Sequence, residues 1–151
     1  MHEGWVRSVC LAVHRLFDKG DRLTETIIAA AIAVHRAKGP GLMESVYEWC
    51  LKCELQHRGL RLENQCTVRI EYRGQVREEP LRCDLLVEGA VLVEIKAVER
   101  LIPIHQAQIL TYMKLLDVPI GLLVNFNVPR LTQGIKRTIL PGANRPATAT
   151  P

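Results

Sequence analysis

Apolar residues recur at helical spacing through Ile27, Ile28, Ala31, Ile32, Val34 and His35, and the run stops at Gly39-Pro40-Gly41. That pattern predicts an amphipathic helix starting at Thr24. Thr24 serves as its N-cap, and Glu25 lies in the first turn, where the helix dipole favours a carboxylate. A second helix is predicted from about Leu42 to His57, ended by Arg58-Gly59. Its packed stripe reads as Met43, Val46, Cys50, Cys53 and His57. After Gly59 the period switches to two. Val68, Ile70 and Tyr72 fall on one face of a strand from Gln65 to Tyr72, Arg73-Gly74-Gln75 reads as a hairpin turn, and a return strand carries Val76 and then Leu81 to Val87. Glu88-Gly89-Ala90 turns the chain again into a strand from Val91 to Ala97. Pro103 suits the first turn of a helix reaching Leu116, which Asp117-Val118-Pro119 ends. Ile120 to Phe126 is a short apolar run, as expected of a strand buried on both faces.

The order helix, helix, antiparallel strands, helix, strand predicts an α/β (α+β) fold. Its centre is a mixed sheet of about four strands flanked by helices. Residues 1–22 read as an N-terminal extension with a short helix from about Trp5 to Phe17, residues 23–140 as the domain, and residues 141–151 as a disordered tail.

Composition agrees with one domain. The chain has 151 residues, of which 48% are apolar and 24% charged, so wholesale disorder is excluded. No apolar run approaches the ~20 residues of a membrane-spanning helix. The apolar steps near the N-terminus are broken by Arg7, His14, Arg15 and Asp18, so the expectation is a cytoplasmic protein without a membrane partner. A net charge of +4 permits contact with a polyanion, but no basic block argues for it. The five cysteines are scattered and odd in number, and read as reduced thiols. Cys50-x-x-Cys53 with His57 is half a zinc pattern, and no second pair completes it.

The chemistry is concentrated in the segment from Cys83 to Lys96. Alternation puts Leu85, Val87, Val91, Val93 and Ile95 on one face and Asp84, Glu94 and Lys96 on the other. A three-residue loop, Glu88-Gly89-Ala90, pairs Val87 with Val91 and sets Asp84 opposite Glu94, whereas a two-residue loop would send the carboxylates to opposite faces. Two opposed carboxylates repel, and a divalent cation removes that penalty by taking an oxygen from each. Lys96, on the same side, is placed to hold an attacking water or to neutralise a phosphate. The alternative reading is an ordinary charged face of a sheet.

This arrangement resembles the PD-(D/E)XK nuclease superfamily, whose acid and ExK signature lies on the second and third strands. Cys83 stands where the superfamily label has proline. Gly41-Leu42-Met43-Glu44-Ser45-Val46-Tyr47 spells GxxExxY, the name-giving motif of a small prokaryotic family in that superfamily. Val34-His35-Arg36, Ile104-His105-Gln106-Ala107-Gln108 and Asn125-Phe126-Asn127-Val128-Pro129 also match that family, and the likeness runs from about Leu23 to Ile139.

The resemblance implies a nuclease that needs Mg²⁺ or Mn²⁺ and acts on DNA or RNA. Asp84, Glu94 and Lys96 would be catalytic, with the metal held by Asp84, Glu94 and the Ile95 carbonyl. In RecB-like nucleases a helix acid joins the metal, which points to Glu44; a first-turn glutamate favoured by the helix dipole is the other reading. Gln108-x-x-x-Tyr112 resembles the QxxxY element of the same branch and would support the substrate. His105 shares that helix face. Tyr47 and His35 join the support group, Tyr47 as a packed residue donating its hydroxyl, His35 as a ligand or a capping side chain. Arg36, Lys38, Arg82 and Arg100 are basic residues that a phosphate backbone could meet. A domain this small would need a second copy to cut two strands together, which makes a homodimer an expected partner. The rival readings are a non-catalytic nucleic-acid-binding or accessory module, and an interaction protein with a structural sheet.

Overall fold

Five strands form one sheet in the order β1 (Leu62–Tyr72), β2 (Gln75–Val87), β3 (Val91–Lys96), β4 (Ile120–Asn125) and β5 (Ile135–Ile139), in a computed structural model that describes residues 13–145. All neighbouring strands are antiparallel except β3 and β4. A parallel pair needs a long crossover. Helix α3 (Pro103–Leu116) supplies it, with the bounds its proline and Asp117-Val118-Pro119 predict. Two further helices, α1 (Phe17–Lys38) and α2 (Glu44–His57), precede the sheet. The fold is therefore mixed α+β, as expected, with five strands rather than about four. The fifth was not legible because Ile135-Lys136-Arg137-Thr138-Ile139 is short and carries two cations.

From the last residues of β2 through β3 and β4 the sheet is buried on both faces. Leu85, Val87, Val93, Ile95, Leu122 and Val124 pack against Ile27, Ala31 and Val34 of α1 and Tyr47, Leu51 and Leu55 of α2. The opposite face sets Cys83, Leu86, Leu92 and Leu123 against Ile109 and Met113 of α3. The packed stripe of α2 is thus Tyr47, Leu51 and Leu55, not the predicted Met43, Val46, Cys50, Cys53 and His57. Both series have helical spacing; the structure buries the first completely, leaves Cys50 of the second partly buried beside it, and leaves Met43 70% exposed.

The N-terminal boundary also moves. Helix α1 begins at Phe17 and runs unbroken through Lys19-Gly20-Asp21, so a break at residue 22 falls inside it. Thr24 is not an N-cap; its hydroxyl donates back to the Gly20 carbonyl at 2.9 Å. Gly20 is tolerated because it is the point of closest approach to the sheet, where an added Cβ would lie 3.0 Å from the Ala90 carbonyl oxygen. The predicted helix over Trp5–Phe17 lies outside the described residues for all but its last part, residues 13–17. Residues 141–145 of the predicted tail form a turn, in which Ala143 is buried and its carbonyl accepts from the His14 N–H at 2.9 Å. The rest of the tail lies outside the described residues. Among those described, no helix is long and apolar enough to cross a membrane.

A short 3-10 turn, Leu131–Gly134, leads into β5 and packs hard on the end of β4. A Cβ at Gly134 would stand 2.1 Å from the Asn125 carbonyl oxygen. Gly134→Ala is therefore expected to destabilise the domain by about 1–3 kcal/mol through overpacking, seen as a fall of several degrees in thermal melting. An unchanged melting temperature would count against this packing of the turn on β4.

Candidate active site

The loop between β2 and β3 fixes the register. Glu88 and Gly89 both take positive φ, at 51° and 65°, and the three-residue loop pairs Val87 with Val91, Leu86 with Leu92 and Leu85 with Val93. The next position sets Asp84 across from Glu94, but there the ladder stops. Instead the Asp84 carboxylate accepts the Ile95 N–H through Oδ2 at 2.7 Å. On its other side β2 is irregular at the same place: two steps along β1, Glu63 to Gln65, are matched by four along β2, Leu86 to Arg82. Bulges of this kind re-aim side chains beside functional sites. In an extended strand the N–H and C=O of one residue point to the same edge, so the Ile95 carbonyl also faces the gap that Asp84 spans.

Glu94 lies on the α3 face and is only 8% exposed. Its carboxyl is pushed up to about 8, first by burial and then by the Asp84 charge and hydrogen bonding to Asp84, with Lys96 opposing. Its Oε1 atom is buried without a hydrogen-bond partner among the described residues. Cys83, packed beside it and 2% exposed, has its thiol pushed up to about 12, first by burial and then by the neighbouring Cys66, Glu94 and Asp84. Asp84, Glu94 and Lys96 are thus brought together as the strand register predicts.

The helix acids divide differently. Glu44 is exposed at the first position of α2. Glu48, one turn on, is the carboxyl raised by burial and then by the charge of Asp84, with Lys52 and Arg82 opposing. The Asp84 charge thus acts on the partly buried Glu48, while Glu44 stands exposed at the helix start. Glu48 follows Tyr47 directly and shares a helix face with Glu44 at i, i+4, the only signal that would have found it.

Tyr47 and His35 act as clamps. The Tyr47 hydroxyl donates to the Gly39 carbonyl at 2.5 Å and accepts the Leu42 N–H at 3.0 Å, closing the loop around Gly39, at φ 67°, and Gly41, at φ 98°. Its ring stacks on Phe126 with centroids 4.5 Å apart. The Nε2 atom of His35 bonds the Val128 carbonyl oxygen at 2.8 Å, so His35 is a satisfied, 8%-exposed side chain tying α1 to the chain after β4. Asn125, missed from the sequence, is 1% exposed and paired with Lys96 in the β3–β4 register. Its amide accepts the Val98 N–H at 3.1 Å and donates to the Val98 carbonyl at 2.9 Å, holding the loop that leaves Lys96. A lone amide at the end of an apolar run was its only mark in the sequence.

On α3, His105 accepts the Ile102 N–H through Nδ1 at 3.2 Å and so caps the helix. Gln108 is exposed, while Tyr112 is half-buried against the α3-side core. Cys50, Cys53 and His57 line one groove between α1 and α2 with Trp49. Among the described residues, however, no three His, Cys, Asp or Glu side chains converge tightly enough to hold a metal, and Cys50, Cys53, Cys66 and Cys83 are free thiols.

Two carboxylates, one with an orphaned buried oxygen, a free-facing carbonyl and an adjacent ammonium fit a hard divalent cation, which takes one or two carboxylates and completes its shell with water and phosphate oxygens. Without such an ion the pair keeps a proton. Because the folded value of Glu94 is raised, its contribution to stability is full below the unfolded value near pH 4.5 and is lost as pH rises through about 8. Glu94→Gln is expected to remove that slope, so that in chelator the variant gains on wild type in melting temperature from about pH 5 to pH 9. Parallel profiles would mean that Glu94 is not desolvated.

A model of the PD-(D/E)XK nuclease superfamily matches residues 21–138. No curated protein matches the chain. Among solved structures, the crystal structure of SSO0001 is similar with a TM-score of 0.49 and 19% identity, over 85% of this chain and 62% of that one. This chain therefore spans less than two thirds of the SSO0001 chain. With 118 consecutive residues inside the family match, carrying the whole sheet but the last residue of β5, the chain belongs to the PD-(D/E)XK nuclease superfamily.

Proposed function

We propose that this protein is a Mg²⁺- or Mn²⁺-dependent nuclease that hydrolyses phosphodiester bonds in DNA or RNA, of the GxxExxY kind within the RecB-like branch. The observation that carries the reading is the buried, unpartnered Oε1 of Glu94 beside the Asp84 carboxylate. A buried carboxylate with no donor costs stability unless something positive takes it up. Superfamily membership supports nucleic acid as the substrate class, and PD-(D/E)XK nucleases generally use divalent metals.

In this reading Asp84, Glu94 and the Ile95 carbonyl hold the ion, with Glu48 reaching it through a water. The ion would supply positive charge to the phosphate oxygens as negative charge builds up in the transition state. Lys96 Nζ orients the attacking water and steadies the negative charge that develops on the phosphate. Asn125 keeps the chain beyond Lys96 in place, so that the ammonium is aimed before substrate arrives. Beyond that loop Glu99, Arg100, Asn125, Gln133 and Lys136 line one cleft, in which two cations outnumber one acid along the path of a phosphate backbone. Gln108 and Tyr112 face the substrate from α3 with uncharged groups that bind phosphate without competing for the ion. The GxxExxY residues act one step back: Tyr47 shapes the loop that starts α2, and α2 carries Glu48.

Lys96→Ala is expected to abolish cleavage of a labelled oligonucleotide while leaving the melting curve unchanged; cleavage equal to wild type would remove the mechanism. Calorimetric titration of Mn²⁺ divides the helix acids. Glu48→Gln is expected to weaken binding about tenfold or more and Glu44→Gln by less than about twofold. Strongly salt-dependent nucleic-acid binding with no metal-dependent cleavage would select the accessory-module reading instead.

A further inference from the structure

Level with Arg82, strand β3 ends, yet β1 and β2 continue as a two-stranded ribbon whose pairs run from Cys66 with Leu81 to Tyr72 with Gln75. The ribbon extends roughly 20 Å past the end of β3. From Arg69 to Glu78 every residue is exposed, including Ile70 at 38% and Tyr72 at 73%. A bare two-stranded ribbon is marginal by itself.

Among the described residues the ribbon has two open edges, and they differ. Arg73 and Gly74, at φ 50° and 80°, form a two-residue turn of the type with positive φ at both central positions, closed by Tyr72 and Gln75. Such a turn directs the Tyr72 carbonyl at Gln75, so Val68, Ile70 and Tyr72 spend their backbone groups on β2. Thr67, Arg69 and Glu71 therefore point their N–H and C=O groups out from β1. By the same alternation Pro80 faces the opposite edge, where its missing N–H blocks strand addition. The β1 edge has no proline.

We infer that the β1 edge of this ribbon pairs antiparallel with the β1 edge of a second copy of this chain, about a two-fold axis at Ile70. The backbone parity allows only registers centred on a residue. Centring on Arg69 or on Glu71 sets like charges face to face. Centring on Ile70 sets Arg69 opposite the second copy's Glu71, and Glu71 opposite its Arg69. Both pairs then exchange main-chain hydrogen bonds, Ile70 meets Ile70, and Tyr72 meets Val68 on one face. The other sheet edge, β5, carries Lys136 and Arg137 and no acid, so no register there gives opposite-charge pairs. Nucleic acid is the poorer occupant, because Arg69, Arg73 and Arg77 are balanced on the ribbon by Glu71, Glu78 and Glu79. A two-fold axis normal to the sheet leaves both Glu94 faces on the same side of the assembly. The pairing itself does not depend on catalysis.

Sedimentation of the full chain over a concentration series tests the pairing. Arg69→Glu places an acidic pair, and Glu71→Arg a basic pair, at both symmetry-related positions. Each variant alone is expected to dimerise at least about tenfold more weakly than wild type. An equimolar mixture of the two is expected to recover the dimer, because each supplies the charge the other lacks. Circular dichroism guards against hairpin loss, since within its own ribbon Arg69 faces Glu78 while Glu71 faces only Val76. A wild type that stays monomeric into the high micromolar range overturns the inference. So does a dimer that neither substitution weakens, or a mixture that fails to recover.

Discussion

The site depends on the place where β2 leaves β3. As far as Leu85 and Val93 the two strands share a ladder; one residue further the Asp84 side chain, not its backbone, satisfies the Ile95 N–H. That exchange keeps the buried N–H bonded while opening the sheet, and it holds a carboxylate against Glu94 in a setting too dry for both to be charged. A ladder continued by one more pair would have closed the gap in which the Ile95 carbonyl now faces an open edge. The irregularity of β2 against β1 at the same level has the same consequence, since the extra residues let the strand swing without losing its pairing on either side.

Around that opening the chain is over-determined by polar clamps rather than by apolar packing alone. Asn125 holds the loop after Lys96, His35 holds the Val128 carbonyl, and Tyr47 closes the glycine-rich entry to α2 while stacking on Phe126. These groups are buried and bonded, and each joins segments far apart in the chain. Loss of one would leave donors or acceptors stranded, at about 1–3 kcal/mol for an unsatisfied group. The motif from Gly41 to Tyr47 thus reads as scaffolding for the Glu48 turn, and its tyrosine does its work on the backbone.

Much of this was written in the sequence. The period change after Gly59, the three-residue loop at Glu88-Gly89-Ala90 and the proline at the head of α3 are local signals, and they predicted the element order and the opposition of Asp84 and Glu94. Strand parity alone is enough to do that, because a register shift of one residue turns every side chain over. The conduct of Tyr47 as a packed hydroxyl donor and of His35 as a satisfied side chain follows from their surroundings in the same way.

Tertiary structure decided the rest. Which of two helically spaced stripes on α2 faces the core depends on how α2 is rotated against the sheet, and which of Glu44 and Glu48, one turn apart on one face, lies level with Asp84 depends on where the helix sits along the sheet; spacing alone sets neither. The passage of α1 through Gly20 depends on the nearness of the Ala90 carbonyl, a contact between residues 70 positions apart. The fifth strand exists because β4 offers it an edge, and the role of Asn125 because β4 runs parallel beside Lys96. The sequence by itself determined the period, the register and the residues able to do the chemistry. Packing between distant segments chose which of them meet, because burial and orphaned backbone groups are settled only when the layers come together.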